Sequence, residues 1–211
     1  MALDWDQLGQ RVNEVHRAVA PHSMDKAEMA VPLVGNARYH AAAANVALEL
    51  ITNVEDPDRR RVLTELLMAP PDLLDWTALS LGTHSVVSAL DLCAAAAWRL
   101  SVDQGPKGGK EKTLSDVFKN LRKQLKPGLR EWLEGAYESD QYRMILEFRR
   151  WFTHKAVRRS ATVFLGQDRA EYKSGVADYD EQSAIEHLRM AAPFAVEQFS
   201  AFCDVVIQEF K

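Results

Sequence analysis

The sequence predicts an all-α fold, a helical bundle of four to five long helices with short helices inserted. Three observations predict it. Alanine and leucine dominate the long segments and are strong helix formers. Apolar residues recur at helical rather than alternating spacing almost throughout. Only 10 Gly and 8 Pro occur in 211 residues, and no strand-like run is long enough for a sheet. With 47% apolar and 27% charged residues, the composition is that of a globular chain and excludes global disorder. The expectation is a single domain over residues 1–211, with two subdomains joined at the Gly/Lys segment as the lesser alternative.

Leu8, Val12, Val15 and Val19 share one face of a first helix that ends near Pro21. A second helix is predicted from about Pro32 to Val54, stopping at Asp56–Pro57. A short third, Asp58 to Met68, is closed by Pro70–Pro71. Leu79 to Leu100 reads as a long Ala-rich helix whose small side chains let neighbours approach closely. SVDQGPKGGKEK, residues 101–112, is the clearest loop, and its KGGKEK lacks the following G-K-[ST] of a phosphate-binding P-loop. Thr113-Leu-Ser-Asp116 has the spacing of a capping box opening a helix to Leu125. Pro127 fits the first turn of the next helix, to about Tyr137, and Ser139 caps another running to about Arg159. Residues 166–179 read as a loop or hairpin. A last helix spans Asp180 to Phe210, with Pro193 expected to kink or split it. Asp178, Asp180 and Glu181 would charge its N-terminus.

The first residues, MALDWDQLGQR, lack the basic-then-apolar layout of a secretion signal, so a cytoplasmic setting is expected. The most apolar run, Val86 to Trp98, is interrupted by Asp91 and falls short of the roughly 20 residues of a membrane span, so no membrane partner is expected. Cys93 and Cys203 both fall within apolar helical patterns and read as buried free thiols without zinc-like spacing. The net charge of −4 conceals an asymmetry: residues 107–159 hold 14 Lys and Arg against 7 Asp and Glu, while the remainder holds 12 against 23. Such a basic third can face phosphate-bearing partners or pack against acidic surface.

The densest basic stretch is EFRRWFTHKAVRRS, residues 147–160. Gln141, Ile145, Phe148 and Phe152, with Met144 and Trp151 alongside, form its apolar stripe. Arg150 and His154 are i,i+4 neighbours, and Arg143 shares their face within about 60°, whereas Arg149 and His154 lie about 140° apart by helix period. Arg143 also has the i,i+4 spacing to salt-bridge Glu147. Histidine exchanges protons near neutrality, and arginine binds phosphate oxygens with two parallel donors. Together they suffice for metal-independent RNA cleavage through the neighbouring 2′-hydroxyl, or for holding a nucleotide unchanged.

Arg149-Arg-Trp-Phe-Thr-His154 resembles the Arg-x4-His form of the motif of HEPN domains (higher eukaryotes and prokaryotes nucleotide-binding). Its place on a late helix of an all-α chain, followed by further basic residues, is similar to theirs. The resemblance implies a compact helical bundle, commonly a homodimer, in which two motifs form a composite ribonuclease site. By it, Arg149 is the motif's arginine and His154 its histidine. His154 would act as general acid or base, Arg149 would stabilise charge on the phosphorus, and Arg150, Arg143, Arg158 and Arg159 would hold phosphate. Arg150 stands where many members carry Asn, Asp or His, a departure that favours binding over cleavage. The implied partners are RNA or a nucleotide, a second copy of the chain and, of unknown identity, a cognate antitoxin. No cofactor or metal is implied.

Two other readings stand beside it. The bundle could be a non-catalytic interaction scaffold. The length and all-α character also resemble DinB-like metal-dependent enzymes, for which His16, His22, His40, His84 and His187 would be the ligands. No pair of them has helical ligand spacing, and Glu186–His187 diverge. Ser80, Thr83, His84 and Ser85 offer hydroxyls and an imidazole together, and read most simply as capping of the Ala-rich helix by Ser80 or Thr83.

Overall fold

A computed structural model describes residues 5–54, 58, 61–62, 65, 71–102, 112–152 and 181–211. They form α1 (Trp5–Val19), α2 (Met24–Val54), α3 (Pro71–Ser101), α4 (Leu114–Asp116), α5 (Pro127–Glu138), α6 (Asp140–Trp151) and α7 (Glu181–Glu209). Among the described residues there is no strand, and the fold is an all-α bundle.

The core is built on α2 and α3, the most extensive pairing in the fold, with α7 lying against α1, α2, α3, α5 and α6. On α2 the buried line is Ala27, Ala30, Val34, Ala37, Ala41, Ala44, Ala47 and Ile51, in steps of three and four residues. On α3 it is Leu79, Val86, Leu90, Cys93, Ala97 and Leu100, flanked by Ala89, Ala94 and Ala96. These small side chains let the two helices pack closely along their length. At Gly82 three helices converge: a Cβ placed there would meet Leu188 Cδ1 at 2.5 Å and Ala47 Cβ at 3.2 Å. Both cysteines are buried free thiols, raised by desolvation, Cys203 to about 12.

Several helix boundaries differ from the sequence expectation. α2 begins eight residues before Pro32, where the Ser23 hydroxyl accepts the Lys26 amide at 3.3 Å. Pro32 lies on the exposed side of the helix, so the hydrogen bond it cannot make is lost where water can replace it. α3 likewise opens at Pro71 instead of Leu79, because a proline is suited to the first turn of a helix. Ser80, Thr83 and Ser85 are therefore in mid-helix and cap nothing. The Thr83 hydroxyl instead donates to the Leu79 carbonyl at 2.7 Å. α7 runs unbroken through an exposed Pro193. The short helix expected at 58–68 and the loop at 166–179 lie largely or wholly outside the described residues, although residues 58, 61, 62 and 65 are helical.

Two helices, Thr77–Ser101 and Ile185–Glu209, are long and apolar enough to cross a membrane by length and composition. Their most apolar windows are 67% and 44% buried inside the bundle, so much of that character is used in helix packing. The segment 86–98 understates the first of them, because the helix extends well beyond it on the N-terminal side.

The Thr113 capping box forms in both directions, Asp116 N–H to Thr113 Oγ1 at 3.1 Å and Thr113 N–H to Asp116 Oδ2 at 3.3 Å. The helix it opens does not continue to Leu125. After one α-turn the chain widens into a π-turn over Val117–Leu121 and tightens into a 3₁₀ turn over Arg122–Gln124. The widened turn accompanies Phe118 stacked on Tyr137 at 3.9 Å between centroids, with the Arg122 guanidinium 4.6 Å above Phe118. α5 then starts at Pro127. It has no local side-chain cap, and the Glu209 carboxylate at the end of α7 accepts the Gly128 amide at 2.6 Å.

Candidate functional site

α6 begins as its sequence predicts, with the Ser139 hydroxyl accepting the Tyr142 amide at 3.1 Å. Its buried side is Tyr142, Ile145, Phe148 and Trp151, continued by Phe152. Met144 and Gln141, expected on the apolar stripe, point outward, and Tyr142 takes the inward position. Phe148 is fully buried and stacks on His187 of α7 at 4.4 Å. That burial lowers His187 to about 4, so it is a neutral packing ring at pH 7.

The two adjacent arginines diverge. Arg150 is exposed, whereas Arg149 is half-buried on the side of α6 facing α3. The Arg149 guanidinium lies close enough to Asp91 of α3 and to the Tyr142 hydroxyl to favour the ionised form of each. Arg143 is exposed and bends back over the start of α6. It pairs with Asp140 at 3.5 Å and donates to the Glu138 carbonyl at 2.9 Å. The expected Arg143–Glu147 pair is replaced by this one, which also satisfies a carbonyl at the end of α5. His154, Lys155, Arg158 and Arg159 lie outside the described residues.

Asp91 is the group around which polar side chains gather. Its Oδ1 accepts the Leu114 amide at 2.7 Å, joining α3 to the start of α4. Desolvation raises its carboxyl to about 6, opposed by the Leu114 hydrogen bond and the charge of Arg149, and reinforced by Asp116. Beside it is a cleft of about 340 Å³ whose lining includes Asn36 and His40 of α2, Ser88 and Asp91 of α3, and Lys112 and Thr113 before α4. His84, one turn from Ser88 on the open side of α3, has a ring nitrogen 2.9 Å from the Ser80 carbonyl. It meets Phe152 edge-on at 6.5 Å. The end of α6, the open side of α3 and the cleft are thus neighbours.

Of this second group only His40 and His84 stand out in the sequence, as two of the candidate metal ligands. The available signal was Asp91 itself, a carboxylate inside a 13-residue apolar run, with Ser88 and His84 three and seven positions before it on one helix face. A larger and more open groove lies between α1 and α2, where the Arg38 guanidinium sits 4.3 Å from the Trp5 ring and 4.7 Å from the Tyr39 ring. Among the described residues, no three His, Cys, Asp or Glu side chains converge as metal ligands would.

Fold and site together define an all-α bundle with a polar cleft beside a basic helix end. No protein-family model, curated protein or solved structure matches the chain.

Proposed function

We propose that this chain is a HEPN-like protein that engages RNA or nucleotide phosphate at the end of α6, acting as a metal-independent endoribonuclease with a composite site between two copies in the cytoplasm. The observation that carries the reading is the divergence of Arg149 and Arg150. Arg149 is half-buried and close enough to Asp91 and Tyr142 to favour the ionised form of each, and Arg150 is open to solvent beside it. The planar fork of donors on an arginine suits it to stabilising charge that develops on phosphorus. His154, one turn beyond Arg150 in sequence, supplies the proton transfer.

In that reaction the ribose 2′-oxygen attacks the adjacent phosphorus and the bond to the 5′-oxygen breaks. The 2′-proton passes to a base and the leaving 5′-oxygen receives a proton, giving a 2′,3′-cyclic phosphate and a 5′-hydroxyl. His154 performs one transfer, and in the composite site the motif of the second copy performs the other.

The test is cleavage of an unstructured labelled RNA with chelator present, by the native chain and by His154→Ala and Arg149→Ala. Loss of about 100-fold or more in rate with His154→Ala is expected, the scale of general acid–base catalysis. Absence of cleavage in every form, or cleavage indifferent to His154, overturns the mechanism.

A second reading is favoured by a separate observation. The outer side of α2 presents exposed Pro32, Tyr39 and Val46 at seven-residue spacing, and Trp5 stands against Tyr39 at 5.3 Å. An uncharged line of this kind suits a non-catalytic assembly protein. Stable self-association without RNA cleavage or RNA binding would support it.

A further inference from the structure

The cleft beside Asp91 is lined mostly by polar residues. Six of its lining residues are polar, drawn from three separate elements: Asn36 and His40 one turn apart on α2, Ser88 and Asp91 on α3, and Lys112 and Thr113 ahead of α4. Leu92 and Ala95 give it a short apolar wall. At about 340 Å³ it has the volume of a small-ligand site. Asp91 spends one oxygen on the Leu114 amide at 2.7 Å, which fixes the carboxylate's orientation, and it also faces the cleft. Such a fixed carboxylate among hydroxyl, amide and imidazole groups is suited to accept a hydrogen bond from a sugar hydroxyl. The Arg149 charge also acts on this carboxylate, near enough for a phosphate at the end of α6 and a sugar in the cleft to belong to one molecule.

We infer that the Asn36–His40–Ser88–Asp91 cleft is a ribose-binding subsite, with Asp91 accepting the 2′-hydroxyl of a nucleotide whose phosphate is held at Arg149. This inference rests on the phosphate-engaging reading above and adds to it a discrimination between ribose and deoxyribose. Burial leaves the Asp91 carboxyl near 6, so it is largely ionised at pH 7.5 and able to accept. His40 and Ser88 supply further partners for the sugar oxygens, and Lys112 adds a positive charge at the cleft.

Isothermal titration at pH 7.5 with three probes tests it: uridine 5′-monophosphate, 2′-deoxyuridine 5′-monophosphate and inorganic phosphate. The ribonucleotide is expected to bind about tenfold more tightly than the deoxynucleotide, the value of one hydrogen bond to a charged group. Asp91→Asn retains an oxygen for the Leu114 amide and should bring the ratio close to one, and His40→Ala should reduce it. Equal binding of the two nucleotides by the native chain, with affinity lost in Arg149→Ala, overturns the ribose subsite and leaves the phosphate reading standing. A ribose preference unchanged in both Asp91→Asn and His40→Ala overturns the assignment to this cleft. Failure of all three probes to bind overturns both. Because the native ratio needs no variant, a misfolded substitution cannot hide the answer.

Discussion

Burial raises the Asp91 carboxyl from its ordinary 3.8 to about 6 and lowers the His187 imidazole from 6.5 to about 4. The consequences for stability have opposite signs. Between pH 4 and 6 the folded chain keeps the Asp91 proton that the unfolded chain has released, so this group favours folding toward acid and costs stability above pH 6. For His187 the unfolded chain takes up the proton first, so stability is full above pH 6.5 and is lost as pH falls toward 4. Each contribution is on the order of 2–3 kcal/mol, and over that window the two largely offset one another. Asp91→Asn, which can still accept the Leu114 amide, is therefore expected to stabilise the chain at pH 7.5 and to lose most of that advantage over the native chain by pH 4.5. Urea unfolding at pH 7.5 and 4.5 checks both changes, and an unaltered pH dependence would exclude this account of Asp91. The same residue shows why part of the site was hidden in the sequence. Asp91 looked like an interruption of an apolar run, because the residues that give it company, Leu114, Tyr142, Arg149 and His40, come from three other elements.

At the level of elements, glycine separates packing from propensity. Gly82, in mid-α3, faces Leu188 and Ala47, whereas nothing lies within 4 Å of a Cβ at Gly135, on the exposed side of α5. Alanine gains roughly 0.5–1 kcal/mol over glycine in a helix. Gly135→Ala should therefore stabilise by about that amount, while Gly82→Ala should destabilise by about 1–3 kcal/mol as the fully packed Leu188 is displaced. Equal responses of the two in thermal unfolding would mean that α2, α3 and α7 are not in close approach at Gly82. Local chemistry was legible wherever a cap or a proline spoke for itself: Thr113 with Asp116, Ser139 before α6, and Pro127 at the head of α5. It misled where tertiary packing intervened. Pro32 and Pro193 sit inside helices on their exposed sides, and Phe118 accompanies a π-turn in which periodicity continued an α-helix. The Glu209 carboxylate that caps α5 from 81 residues away left no local trace.

Over the whole molecule, α7 is the shared wall. Phe199 and Phe202 are fully buried on it, and Trp132 of α5 packs against Phe202 at 5.0 Å while donating to the Gln198 carbonyl at 3.3 Å. Phe202→Ala is expected to cost about 3–5 kcal/mol. Unfolding should remain one transition, with helix content and tryptophan fluorescence changing together, because α5 and α6 both pack on α7 and α6 packs on α3 as well. Separated midpoints would instead divide the chain into two folding units. The bundle as a class was legible from alanine, leucine and period alone, since helix packing needs only which face is apolar. Which helices meet was not, because α2 and α3 present similar small-residue faces and period alone does not pair them. The position of α7 has a consequence for the order in which the chain is made. During synthesis the long α2–α3 pair emerges before the helix that covers it, and the aromatic face of α6 waits for the same arrival. Until α7 docks, the nascent protein carries an unsealed alanine-lined seam and an exposed Phe148. It is during that interval, before closure of the last wall, that the chain has its greatest need of protection from its neighbours.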